Sequence, residues 1–188
     1  MSDHAHEGPT QAVGKAEAHH EPASFAFDAE SEAQIEKILK RYPAGKEASA
    51  TIPLLYVVQR QMGRQTGSAW VPRVAMDQVA KRLGMAPIRV YEVASFYSMF
   101  ETEQVGRNNV AFCTNISCWL NGAEDLVAHA EKKLGCKLGE STADGRVYLK
   151  REEECVAACC GAPVVVINGH YHEKLDTSKV DALLDGLK

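Results

Sequence analysis

Apolar positions along the chain keep a helical period up to about residue 100 and then change to short strand-like runs. From Ala29, the residues Ile35, Ile38, Leu39 and Tyr42 share one helical face, and Pro43 stops the run. A polar link over 44–50 precedes a second helix that carries Ile52, Leu55, Tyr56, Val58 and Met62. Pro53 fits its first turn, where a missing N–H costs nothing, and Gly63 and Gly67 bracket its end. Pro72 and Pro87 open two further helices in the same way; the third carries Val74, Val79, Ala80 and Leu83 and is closed by Gly84, and the fourth carries Ile88, Val90, Tyr91, Val93, Ala94 and Tyr97. The apolar end of the fourth, Ser95-Phe96-Tyr97-Ser98-Met99-Phe100, is expected to pack on the domain that follows, with a contact to another subunit as the alternative.

After the turn-like stretch Gly106-Arg107-Asn108-Asn109 the period shortens. Val110-Ala111-Phe112 predicts a buried strand that delivers Cys113 to its end. Trp119 to Leu134 predicts one helix, with Leu120, Ala123, Leu126, Val127, Ala130 and Leu134 on one face and Gly135 closing it. Strands follow at Val147 to Lys150 and Val164 to Ile167; Asn168-Gly169 is a hairpin turn leading to His170 to Glu173, and Asp176 or Thr177 caps a last helix through Val180, Leu183 and Leu184. The order strand, helix, strand, strand, strand, helix fits a small mixed sheet covered by helices and resembles the thioredoxin fold. The expected class is α+β: a small helical bundle over residues 25–104 and an α/β domain over 105–188. Residues 1–24, with Pro9, Pro22 and no apolar periodicity, are expected to form a disordered tail, and His4, His6, His19 and His20 in it to be exposed polar residues rather than a metal site.

The chain has 188 residues, 45% of them hydrophobic, and its apolar runs fall far short of the roughly 20 residues of a spanning helix, so no direct membrane insertion is expected. A net charge of -4 without a basic block argues against nucleic-acid binding. The start shows no basic region followed by an apolar core, so a reducing cytoplasm is expected. There, close cysteine pairs serve as metal ligands or redox thiols more often than as cross-links.

Four of the six cysteines fall into two such pairs, Cys113 with Cys118 and Cys155 with Cys159, separated by 36 intervening residues. Convergent thiolates from two loops suit a sulfide-bridged iron cluster, and two pairs match the two irons of a [2Fe–2S] centre. The same spacing also suits a structural zinc ion, and thiol–disulfide chemistry is the third possibility, although no Cys-x-x-Cys occurs. The small residues Ala157, Ala158, Gly161 and Ala162 let the second loop approach a cluster closely, while Glu152, Glu153 and Glu154 would oppose added electrons. Thr114, Asn115 and Ser117 either donate to sulfur or satisfy the turn. Trp119 is a shield for the site, a core aromatic or an interface residue; Cys136 is expected to be a semi-buried structural thiol and Cys160 to face away from the site. No glycine-rich dinucleotide or phosphate loop is present, and His129, His170 and His172 have no motif tying them to a nucleophile. A lone cluster moves single electrons, so hydride chemistry implies a partner with a flavin or similar centre.

The stretches IPLLYVVQRQMG, APIRVYEVASFYSMF, FCTNISCWLNGAEDL and ECVAACCGAPVVVINGHYHEKL together resemble the small [2Fe–2S] subunit family of the NADH dehydrogenase module of respiratory complex I and its relatives in NAD-linked hydrogenases and formate dehydrogenases. The resemblance spans roughly residues 30 to 176. It implies a helical domain followed by a thioredoxin-like ferredoxin domain, with Cys113, Cys118, Cys155 and Cys159 as ligands to one [2Fe–2S] cluster. It further implies a flavin-containing partner subunit that binds FMN and NADH, a larger iron–sulfur subunit nearby, and a peripheral place on the cytoplasmic side of the inner membrane through the complex. Ala157 stands where the family often has glycine, and Cys160 is an extra oxidisable thiol after the last ligand position.

Overall fold

The computed structural model describes residues 21–151 and 155–188. Most of the tail expected over 1–24, with its four histidines, and Glu152 to Glu154 lie outside the described residues.

The first half is a set of four helices: α1 (Ala29–Leu39), α2 (Thr51–Thr66), α3 (Arg73–Leu83) and α4 (Pro87–Phe96). Each boundary has a local cause. Asp28 caps α1 by accepting from the Ser31 N–H at 2.8 Å, and α1 stops at Leu39, before the expected Tyr42. The predicted link before α2 ends in a short 3-10 turn, Glu47–Ala50, while Gly67 and Gly84 end α2 and α3 in left-handed conformations. The buried stripe of α2, Leu54, Leu55, Val57 and Val58, meets Ile35, Val71, Val79 and Val90 in one core. Gln61 is fully buried in that stripe and holds the entering chain, donating to the Ala26 carbonyl at 2.9 Å and accepting from the Asp28 N–H at 3.1 Å.

The aromatic end of α4 departs from expectation. Phe100 does turn inward, but into the helical core beside Tyr56, ring centroids 5.1 Å apart. Phe96 is 79% exposed and stacks edge-on against Tyr97 instead of covering the following domain. The reason is helical phase: Val90 and Ala94 face the bundle, which turns Phe96 outward.

The second half is a four-stranded sheet with order β2-β1-β3-β4. Its strands are β1 (Asn108–Phe112), β2 (Val147–Leu149), β3 (Val165–Ile167) and β4 (His170–His172). β2 runs parallel to β1 with Val110 opposite Leu149, β3 antiparallel with Val110 opposite Ile167, and β4 antiparallel to β3 through the Asn168-Gly169 turn. The single helix expected from Trp119 to Leu134 is two, α5 (Ile116–Leu120) and α6 (Ala123–Leu134). Gly122, at φ 84°, breaks the helix between them, a geometry that costs a residue with a Cβ about 1–2 kcal/mol. The apolar pattern runs through this break because Leu126 and Ala130 continue the buried face that Ala123 begins. The last helix, α7 (Thr177–Asp185), is capped by Asp176, which accepts from the Lys179 N–H at 2.8 Å. α6 and α7 cover one face of the sheet, and Val110, Phe112, Leu126, Val147, Leu149, Val165, Ile167, Val180 and Leu184 form the second core. Cys136 is buried within it, as expected of a structural thiol.

Between the two cores runs a polar seam. The Val71 N–H donates to the Glu101 carbonyl at 2.8 Å, and the Ser68 hydroxyl donates to the Val105 carbonyl at 2.7 Å. The Gly106 N–H donates to the Ser141 hydroxyl at 2.9 Å.

Candidate metal centre

The first cysteine pair is placed by β1 and α5. β1 carries the buried run Val110-Ala111-Phe112 to the sheet end, where the Cys113 N–H donates to the Val164 carbonyl at 3.1 Å. The chain then turns at Asn115, whose carbonyl accepts from the Trp119 N–H at 2.8 Å, and α5 brings Cys118 back inside. Cys113 and Cys118 are buried together with Ala123 and Val164, and Val156, Ala158 and Ala162 of the second loop pack against them. The small residues of that loop therefore do approach the first pair closely.

The second pair lies on the outside. Cys155 and Cys159 are exposed, with sulfurs 3.8 Å apart. Two sulfurs bound at about 2.3 Å to one tetrahedral metal are separated by about 3.8 Å, so this spacing is that of a pair sharing one metal. Cys159 opens a short 3-10 turn, Cys159–Gly161, and Cys160 is exposed beside it. The two loops are stitched together by the Ser117 hydroxyl, which donates to the Cys159 carbonyl at 3.3 Å. Ser117 thus serves the backbone, and Asn121 in turn donates to the Ser117 carbonyl at 2.7 Å. Neither contact has a sequence signal beyond the presence of small polar residues in a loop.

The thiols influence one another across the site. Burial pushes the Cys118 thiol up to about 11, helped by its hydrogen bond with Cys113 and by the charges of Cys113 and Cys159. Hydrogen bonding and charge from Cys155 push Cys159 up, with burial and Cys113 adding to it. Four thiolates so close repel, and a cationic centre relieves that repulsion. Among the described residues, no group of three or more Cys, His, Asp or Glu surrounds a single ion position. The soft donor set, the 3.8 Å pair and the small-residue loop fit a group that takes sulfurs two at a time.

Around the buried pair, α5 turns a strongly apolar face to solvent: Ile116 is 77%, Trp119 51% and Leu120 70% exposed. The Trp119 indole N–H donates to Glu124 at 2.8 Å, which leaves its ring at the surface rather than in the core. No helix among the described residues is long and apolar enough to cross a membrane.

Comparison with known proteins agrees with this architecture. The thioredoxin-like [2Fe-2S] ferredoxin family matches residues 35–188. The E-type subunit of NADH-quinone oxidoreductase from Rickettsia conorii is 43% identical over 165 residues, covering 88% of this chain and 95% of the relative. The mitochondrial NADH dehydrogenase [ubiquinone] flavoprotein 2 of Dictyostelium discoideum is 40% identical over 172 residues, 92% of this chain and 67% of the relative. An NAD+-reducing [NiFe]-hydrogenase crystal structure in the air-oxidised state superposes with a TM-score of 0.60 at 23% identity, covering 72% of this chain and 22% of that one, a likeness of fold. Helical bundle, mixed sheet and paired cysteines together are accounted for by descent: the chain belongs to the thioredoxin-like [2Fe-2S] ferredoxin family and is homologous to the E-type subunits of NADH-quinone oxidoreductase.

Proposed function

We propose that Cys113, Cys118, Cys155 and Cys159 hold one [2Fe–2S] cluster, and that the chain is the electron-transfer subunit of an NADH:quinone oxidoreductase, not catalytically complete alone. The observation that carries this reading is the meeting of two cysteine pairs at one end of the sheet, one buried and one exposed with sulfurs 3.8 Å apart. When bound, such a cluster accepts and returns one electron at a time. The chain's own residues hold and shield it. Val164 and Ala123 exclude water from the inner pair, Ser117 clamps the outer loop, and Ala158 and Ala162 leave room for sulfide.

Because the chain carries no dinucleotide loop, the partner supplies hydride chemistry: a flavin-containing subunit that binds FMN and NADH, with a larger iron–sulfur subunit in the same assembly. The exposed Ile116, Trp119 and Leu120 beside the site suit burial against that partner. Attachment to the cytoplasmic side of the inner membrane then comes through the complex. The relatives sharing 40% identity or more carry respiratory names, which favours this parent over a hydrogenase or formate dehydrogenase.

The test is anaerobic purification followed by metal and sulfide analysis. A red-brown protein with about two irons and two acid-labile sulfides per chain, bleaching on reduction, is expected. A colourless protein with a single zinc would overturn the proposal and leave a structural role for the four thiols.

A further inference from the structure

The face of the sheet opposite α6 and α7 carries a charged group that the electron-transfer reading does not use. Lys150, one residue past β2, is only 9% exposed, and its Nζ lies 3.8 Å from Oε1 of Glu101, itself 15% exposed. Tyr148, on the same face of β2, donates its hydroxyl to Oε2 of Glu101 at 3.3 Å, and Asn109 donates its side-chain amide to Oε1 at 3.4 Å. Glu101 is anchored to the helical bundle: its carbonyl accepts from Val71, and Phe100 before it is in the helical core. Lys150 is anchored to the sheet, its N–H donating to the Val110 carbonyl at 2.9 Å.

Register places this pair near the cysteines. Val110 opposes Leu149, so Lys150 lies beside Ala111, two residues before Cys113 on a parallel strand. At about 3.3 Å per residue along the strand and 4.8 Å between strands, the two backbones are roughly 8 Å apart. A charge at that range in a buried setting is felt with little screening.

We infer that the Glu101–Lys150 pair is a positioning and tuning device, in which the helical bundle, through Glu101, neutralises a buried cation beside the cluster and so sets the cluster's affinity for its electron. The inference rests on the cluster reading above. Lys150 alone favours the extra electron, and Glu101 offsets it as long as the bundle is seated on the sheet. Any partner that lifts the bundle from the sheet would therefore make the cluster easier to reduce.

Redox titration of the iron-loaded protein, followed by electron-spin resonance, tests this. Glu101→Gln should raise the reduced-to-oxidised ratio at fixed ambient potential by about tenfold, a shift of about 59 mV for one electron. Lys150→Met should lower the ratio by a similar factor, Lys150→Arg should restore it, and the double variant Glu101→Gln with Lys150→Met should fall near the parent. Should the Gln variant fail to retain iron, the comparison of Lys150→Met with Lys150→Arg decides alone. Equal ratios in those two, or single-variant shifts of the same sign, overturn the inference while the iron content leaves the cluster reading standing. Parent protein without iron and sulfide overturns both.

Discussion

Ala157 has a left-handed backbone, φ 57°, in the loop between the two exposed cysteines. A side chain there costs about 1–2 kcal/mol, while glycine would add roughly 0.4–1 kcal/mol of unfolded-state entropy. Strain outweighs entropy, so Ala157→Gly is expected to raise stability by about 0.5 kcal/mol. A shift of the urea midpoint to higher concentration checks it, and a fall would show that the loop relaxes around the methyl group. The cysteines divide by position. Serine at 113, 118, 155 or 159 should abolish or alter the cluster's spin signal, whereas Cys136→Ser and Cys160→Ser should keep it; loss of the signal on changing Cys160, with retention on changing Cys155, would reassign the outer ligand. The pairing of these thiols was legible because spacing along a chain limits what two sulfurs can reach. Their unequal exposure was not, because it depends on α5 folding Cys118 back under the sheet end. Gln61 was similarly hidden: a polar residue in an apolar stripe reads as a surface position until its two buried backbone partners are known.

At the level of elements, β2 is only three residues long yet is buried throughout. Leu149→Ala should cost about 3 kcal/mol, since the cavity opens between strand and helices, and chemical denaturation would show it. Gly106, just before β1, allows close approach: a Cβ there would lie 2.6 Å from the Val147 carbonyl carbon. The obstacle is backbone, so Gly106→Ala should destabilise by about 1–3 kcal/mol. Helices α6 and α7 are joined by charge. His129 Nε2 lies 2.8 Å from Asp181 Oδ1, and Lys133 reaches Asp185 at 2.8 Å. The His129 hydrogen bond, with Lys133, holds the Asp181 carboxyl below its usual range, and the Ser31 N–H does the same for Asp28 at the start of α1. A depressed carboxylate contributes fully above its unfolded value of about 4, and the contribution fades as pH falls through the folded value. Urea midpoints should therefore drop below about pH 4, and the slope should shrink in Asp181→Asn; an unchanged slope would show that the pair contributes nothing to folding. The break between α5 and α6 escaped periodicity because the apolar face is continuous across it, and only the left-handed Gly122 ends one helix and starts the next.

The whole molecule has two cores and a polar seam between them, and its large exposed apolar residues include Phe96 on the bundle and Ile116, Trp119 and Leu120 beside the cysteines. If the partner proposed above covers the second group, Leu120→Asp should lower co-purification of the flavin subunit by tenfold or more, about 1.4 kcal/mol, without loss of iron. Retained association would place the interface elsewhere. The helical period and the strand runs were readable from one sequence because each element answers to its own residues. How Glu101 meets Lys150 was not, since that contact joins parts of the chain 49 residues apart through a surface neither shows by itself. The unequal shelter of the two cysteine pairs also gives the site a direction of wear. Chelators and oxygen can reach only the outer sulfurs, so dismantling begins at Cys155 and Cys159 and proceeds inward, and whatever docks over that rim doubles as its preservative.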